Sequence, residues 1–175
     1  MNNQNDNNMD KHYLYSPWRL DYILGEKTDE CIFCRCQNLD NDKENLIVYR
    51  AKNCYVMLNR YPYNNGHLMI VPFEHKSDIS NLNPDTWMEM SELIRSTEMI
   101  LKQAYHYEGL NIGLNLGCAA GAGIAEHLHV HLVPRWHGDS NFMSVVSGQR
   151  VIPESFESAW QRLQPLFDKL LPGKE

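Results

Sequence analysis

The apolar residues of this chain change period along its length, and the changes mark its elements. Leu46 to Arg50 and Cys54 to Asn59 have strand character. The turn-rich Arg60-Tyr61-Pro62-Tyr63-Asn64-Asn65-Gly66 separates them from His67-Leu68-Met69-Ile70-Val71-Pro72, a buried-looking strand stopped by proline. Runs joined this way predict an antiparallel meander. The period then lengthens: Asn83 as N-cap and Pro84 in the first turn open a helix ending near Gly109, with an apolar stripe at Trp87, Met90, Ile94, Leu101 and Ala104. Leu110 to Asn115 makes a fourth strand, Gly117 to Gly123 a loop of small residues, and Glu126 to Trp136 returns to period two. His137 to Val146 reads as a loop. Glu154 to Leu171 is helical in spacing, with Phe156, Trp160, Leu163, Phe167 and Leu170 on one side.

Ahead of this region the pattern is polar. Met1 to Lys11, rich in Asn, predicts a disordered tail over residues 1–11. Tyr13 to Ile23 predicts a short helix behind Ser16-Pro17, its aromatics clamping the domain or a second subunit. No repeat or linker interrupts Tyr13 to Leu171, so residues 12–175 are expected to fold as one α+β domain of about five strands and two substantial helices. At 175 residues and 43% hydrophobic, the chain has enough apolar material for one core.

Charge and cysteine usage narrow the partners. Sixteen basic residues against 22 acidic ones, a net charge of −6, argue against nucleic-acid binding by phosphate neutralisation. No apolar run has membrane-spanning length and no signal peptide is visible, so no membrane partner and a cytoplasmic location are expected. Five cysteines without an export signal fit a reducing compartment. Cys31-Ile32-Phe33-Cys34, expected on a tight loop, offers two corners of a zinc tetrahedron, or two ordinary buried or reactive thiols. Cys36, Cys54 and Cys118 have no partner spacing, and His75, just past the third strand, is by itself an ordinary hydrogen-bonded residue.

The candidate chemistry lies in Glu126 to Trp136. His127, His129 and His131 alternate with Leu128, Val130 and Leu132, so three imidazoles share one strand face at roughly 7 Å spacing. A neutral imidazole whose other nitrogen donates to a fixed acceptor can attack phosphorus. The glycine loop before it allows backbone N–H groups to approach a phosphate. The same three residues could equally face a metal or be the polar side of an edge strand. With that loop before them and Pro134-Arg135-Trp136 after, phosphoryl or nucleotidyl chemistry is favoured. Trp136 would wall the nucleotide or pack in the core, and Arg135 would hold a phosphate or pair with an acid.

These residues resemble the histidine triad superfamily, and more closely its bacterial diadenosine tetraphosphate phosphorylase, or ATP adenylyltransferase-like, branch. The resemblance runs from Trp18 to about Val151 through Pro17-Trp18-Arg19, Cys31-Ile32-Phe33-Cys34, Leu58 to Asn64, Gly66-His67-Leu68-Met69, Leu114 to Gly117, Glu126 to Trp136 and Gly138 to Phe142. It implies a histidine-triad-like fold, a sheet of about five antiparallel strands flanked by helices, and a homodimer. It makes His129 the nucleophile that carries the nucleotidyl group, and His131 a phosphate-oxygen donor. Asn59 resembles a ribose-binding position, and Asn115 with Gly117, Gly121 and Gly123 a phosphate-binding segment. One departure is visible: related enzymes often carry a hydroxyl residue shortly before the first histidine, where this chain has Ala122-Gly123-Ile124-Ala125, leaving that work to backbone donors.

The resemblance further implies a structural zinc held by Cys31, Cys34, His75 and His127, as in zinc-containing members and the related galactose-1-phosphate uridylyltransferases. Four protein ligands would leave no open position for water. The implied reaction is phosphorolysis of diadenosine tetraphosphate to ADP and ATP, with Mg²⁺ or Mn²⁺ accompanying the substrate as a further expectation. Hydrolysis of dinucleoside polyphosphates or nucleoside phosphoramidates is the alternative chemistry, and a nucleotide-binding module without chemistry the alternative class.

Overall fold

The computed structural model describes residues 30–139 and 152–171. The expected tail, the Tyr13 to Ile23 helix and the stretch from residue 140 to 151 lie outside the described residues. Five strands form one sheet: β1 Ile47–Arg50, β2 Cys54–Leu58, β3 Leu68–Pro72, β4 Gly109–Leu114 and β5 Val130–Arg135. Their order is β1-β2-β3-β5-β4, with every neighbouring pair antiparallel. The expected meander is therefore β1 to β3, and β5 inserts between β3 and β4. Among the described residues, three α-helices, α1 Ile32–Gln37, α2 Pro84–Tyr105 and α3 Phe156–Leu170, complete the α+β arrangement.

The central strands read as continuous apolar runs because both faces are covered. Alternation sends Val56, Leu58, Leu68, Ile70, Val130 and Leu132 to one side, where they pack with Met90, Leu93 and Ile100 of α2 and Leu163 and Phe167 of α3. Tyr55, Met57, Met69 and Val71 point the other way, onto Phe33 and Ile124. On β5, Val130 and Leu132 belong to the helix side, so His131 between them faces the second side, where Met69 is its partner across the strands.

The long helix starts as its cap dictates: the Asn83 side chain accepts the Asp85 N–H at 2.9 Å, and Pro84 needs no such partner. Its buried stripe is Thr86, Met90, Leu93, Thr97, Ile100 and Leu101, with Trp87, Ile94 and Ala104 only partly covered. The expected stripe lies to one side of this one because two of the buried positions are threonines. The helix stops at Tyr105, short of Gly109, where His106 adopts a left-handed conformation (φ 48°) and donates its N–H to Lys102. In α3 the core contacts are Ala159, Leu163 and Phe167, whereas Leu170, expected on that face, is exposed.

Two expectations about the site region change. Cys31-Ile32-Phe33-Cys34 is the start of α1, with Cys31 at the N-cap, and not a tight loop. β5 begins at Val130, so His127 and His129 precede the strand and only His131 lies in it. The turn before β3 closes through Gly66, whose φ of +67° is left-handed and whose Cα faces the Tyr105 ring at the end of α2.

Candidate active site and metal cluster

Although His127 to His129 are not strand, the alternation of the sequence persists. Leu128 is buried with Val130 and Leu132, and its N–H donates to the Lys76 carbonyl at 2.6 Å. The three histidines thus stay on the opposite side, but they are not equivalent. His129 Nδ1–H donates to the carbonyl of His127 at 2.8 Å. Burial holds its pKa below the ordinary value, so the ring is neutral near pH 7 and Nε2 is left bare. That is the protonation state of a nucleophile. The His129 and His131 ring centres are 4.8 Å apart and nearly perpendicular (77°), closer than an ideal strand gives because the first ring lies outside β5.

His131 is oriented by a residue that the sequence reading left among the strand positions. His67, fully buried at the head of β3, accepts the Tyr63 N–H on Nδ1 at 3.0 Å. Its proton is therefore on Nε2, which donates to His131 Nδ1 at 2.9 Å. His131 must then carry its own proton on Nε2, as a donor. Burial, reinforced by the neighbouring imidazoles, holds His67 at a pKa of about 3 and His131 at about 4, so both stay neutral. The signal in the sequence was a lone polar side chain opening an otherwise apolar run. Gly113 lies across from His131 on β4 and puts no side chain beside it.

The second cluster gathers Cys31, Cys34, His75 and His127, whose ligand atoms all lie within 4.8 Å of one another. Cys31 Sγ is 3.4 Å from His127 Nδ1, Cys34 Sγ is 3.3 Å from His75 Nδ1 and 3.6 Å from His127 Nδ1, and the two Nδ1 atoms are 3.2 Å apart. Bond lengths of about 2.3 Å to sulfur and 2.0–2.1 Å to nitrogen give tetrahedral edges of about 3.3–3.8 Å, which these separations fit. His127 Nε2–H donates to the Pro72 carbonyl at 2.9 Å, which turns a bare Nδ1 toward the cluster, as an outer partner of a metal ligand does. Without a cation, burial and the adjacent Cys31 sulfur push the Cys34 thiol up to about 11; a bound divalent ion would reverse this. These four side chains could hold a metal ion.

Residues 40–138 match the HIT domain, more than half of the chain. The chain belongs to the HIT family. It is 47% identical over 153 residues to a protein named AP-4-A phosphorylase from Mycobacterium tuberculosis (strain CDC 1551 / Oshkosh), covering 81% of this chain and 76% of that one. A Zn-bound histidine triad family protein from Mycobacterium smegmatis superposes with a TM-score of 0.64 at 26% identity, covering 81% of this chain and 95% of that one. A hypothetical histidine triad nucleotide-binding protein from Sulfolobus tokodaii gives a TM-score of 0.64 at 28% identity, with coverage of 80% and 93%.

Within this HIT domain the remaining candidate residues are placed unevenly. Asn59 is buried beside His67, its amide nitrogen 3.4 Å from both ring nitrogens and its oxygen accepting the Tyr61 N–H. Asn115 and the Gly117 to Gly123 loop lead from β4 to the histidines. The N–H groups of Ala120, Gly121 and Ala122 donate within the loop, so the backbone donors expected there are partly spent on the turn itself. Gly117 (φ +79°) and Gly121 (φ +87°) make that turn possible. Trp136 falls on the helix side, against the core and the Tyr105 ring, because alternation along β5 puts it with Leu132 and Pro134. Arg135 pairs with Asp139 at 2.6 and 2.9 Å, and Asn64 bonds both Asp139 and the Pro134 carbonyl, so Arg135 fastens the exit of β5. Sequence reasoning also passed over Tyr63, whose exposed ring lies 4.7 Å from His67 and 5.8 Å from His131.

Proposed function

We propose that this chain is a nucleotidyltransferase that splits diadenosine tetraphosphate by phosphorolysis through a nucleotidyl-histidine. The observation that carries the reading is the state of His129: Nδ1–H pinned on the His127 carbonyl, Nε2 bare, and the donor ring of His131 beside it. Nε2 attacks the α-phosphorus, the bond to the bridging oxygen breaks, and ATP leaves. Positive charge on the ring strengthens the Nδ1–H bond to the carbonyl, and His131 Nε2–H donates to phosphate oxygen as negative charge gathers there. An oxygen of inorganic phosphate then attacks the same phosphorus, the P–N bond breaks with its electrons returning to His129, and ADP is released. Asn59, Asn115, Gly117, Gly121 and Gly123 are proposed to bind nucleotide and phosphate. Trp136 is left to packing. Similarity to the AP-4-A phosphorylase supports phosphate as the acceptor.

The proposal includes zinc at Cys31, Cys34, His75 and His127, in a structural role because the four ligands would fill its coordination. Mg²⁺ or Mn²⁺ would enter with the polyphosphate. It also includes a homodimer: β4 ends the sheet, and Ile112 within it and Leu116 just past it are 47% and 42% exposed, an apolar margin suited to a second copy. No helix among the described residues is long and apolar enough to cross a membrane, and the five cysteines are unpaired, which fits the proposed cytoplasmic location.

Incubation with diadenosine tetraphosphate, with and without inorganic phosphate, tests the reaction. ADP and ATP are expected only when phosphate is present, and AMP with ATP regardless of phosphate would identify a hydrolase instead. His129→Ala should abolish turnover while nucleotide binding persists; unchanged turnover would remove the nucleophile.

A further inference from the structure

Phe33 lies between the two cysteines of the metal cluster and is only 2% exposed. Its ring contacts two of the three histidines. It meets His127 edge-on at 5.3 Å (72°) and His129 at 5.0 Å, tilted by 54°. The Phe33 carbonyl accepts the buried Tyr55 hydroxyl of β2 at 3.0 Å, and Arg35 N–H bonds back to Cys31, so the Phe33 backbone is tied both to the sheet and within its own turn.

His129 needs such a neighbour. The hydrogen bond from Nδ1–H to the His127 carbonyl fixes which nitrogen is bare only while the ring stays aimed at that carbonyl, and by itself it does not stop the ring from swinging off it. His131 covers one side of the ring and Phe33 supplies another contact. A nucleophile is effective only while its lone pair is held on the reacting atom, and a small misplacement costs rate out of proportion to its size.

We infer that Phe33 is a positioning residue for His129, coupling closure of the Cys31 to Cys34 turn to the aim of the nucleophile. This rests on the proposed nucleotidyl-His129 chemistry. The Cys31 to Cys34 turn, which a metal on the flanking thiolates would fasten, sets where Phe33 stands, and Phe33 sets where His129 points. The turn therefore does more than staple the chain: it lies one side chain away from the reacting nitrogen.

Phe33→Ala and Phe33→Leu test this in full-length, metal-loaded protein, using single-turnover formation of the nucleotidyl-enzyme, KM, bound metal, and nitrogen-15 NMR of the His129 tautomer. Phe33→Ala should slow formation on the order of 10–100-fold. KM should stay within about threefold and bound metal should match the wild type, because the contact is to the nucleophile and not to substrate or ion. The His129 signals should change from Nδ1–H alone to a mixture of tautomers. Phe33→Leu, which refills the space with an apolar side chain, should recover the rate to within about fivefold. A Phe33→Ala protein with wild-type rate and a single tautomer overturns the inference. A loss confined to KM, or one that tracks lost metal, overturns it as well. A wild-type chain that forms no nucleotidyl-His129 overturns the proposed reaction instead, and the tautomer then decides the role of Phe33 by itself.

Discussion

Replacing His67 by phenylalanine keeps a ring in a fully buried site and removes both of its nitrogens. In the native protein those nitrogens accept from Tyr63 N–H at 3.0 Å and donate to His131 at 2.9 Å. At pH 8 the loss of two hydrogen bonds should destabilise the variant by about 2 kcal/mol. Acid works the other way. Burial, with His131 and His129 adding to it, lowers the His67 pKa from its ordinary 6.5 to about 3. Between those values the unfolded chain binds a proton that the native protein refuses, so wild-type stability is full above pH 6.5 and falls as pH drops through it. At pH 5 this one group costs the wild type about 2 kcal/mol. The variant has nothing to protonate there and escapes that cost. Its deficit relative to wild type should therefore shrink from about 2 kcal/mol at pH 8 to near zero at pH 5.

Urea unfolding of both metal-loaded proteins at the two pH values measures this, since titrating groups that do not touch His67 are common to both and cancel in the difference, and His131, which does touch it, is held neutral at both pH values chiefly by its own burial. A deficit that stays constant or grows on acidification would refute the assignment of His67 as a neutral, proton-refusing donor. Turnover supplies a second reading. With Nδ1 of His131 no longer held, its proton can occupy either nitrogen, and the rate should fall on the order of tenfold or more.

Two further outcomes follow from the geometry. Cys31→Ser should leave well under one metal per chain and lower the melting temperature by roughly 5 °C or more, as chelation should for the wild type. Unchanged metal content and melting temperature would exclude the four-ligand site. Gly66→Ala places a methyl group 2.6 Å from Tyr105 Cε2 at a φ of +67°, and both strains should add to a loss of about 2–4 kcal/mol in urea unfolding. A change below about 0.5 kcal/mol would mean that the turn and the Tyr105 ring yield easily.

The sheet was legible because its strands announce themselves by composition and by bounded length. Each expected run overlaps its observed strand and matches it to within a residue at most ends, as Cys54 to Asn59 does Cys54–Leu58, the exception being the start of β5, four residues after Glu126. The helix at Asn83 was legible through its cap, but its buried stripe was not, since Thr86 and Thr97 are polar residues that packing covers. The start of α1 was hidden because six residues carry too little periodicity to outweigh a Cys-x-x-Cys pattern that also suits a loop. What the sequence could not show was contact between distant segments. Cys34 and His75 meet across 41 positions, and His67 and His131 across 64. Family resemblance supplied the first meeting; nothing in the spacing supplied the second.

Three histidines at a two-residue repeat acquire three environments from one neighbouring strand. β3 pairs antiparallel with β5, with Leu68 opposite Leu132 and Ile70 opposite Val130. Its head delivers His67 to His131, and its last residue, Pro72, delivers a carbonyl to His127. His129, between them, has no partner in β3 and turns instead to its own chain at His127 and to Phe33. The roles are thus set by strand register as much as by the repeat. A one-residue slip of β3 against β5 would turn the His67 ring to the other face and move the Pro72 carbonyl off His127, while leaving the period-two pattern of β5 untouched. β3 is apolar on both faces, so shape and the polar His67 oppose that slip: Leu68 and Ile70 would exchange sides with Met69 and Val71, and the buried His67 ring would be carried into the helix-side core without a partner. The packing that fixes the register of β3 therefore decides which imidazole joins the two cysteines, which is left bare, and which donates.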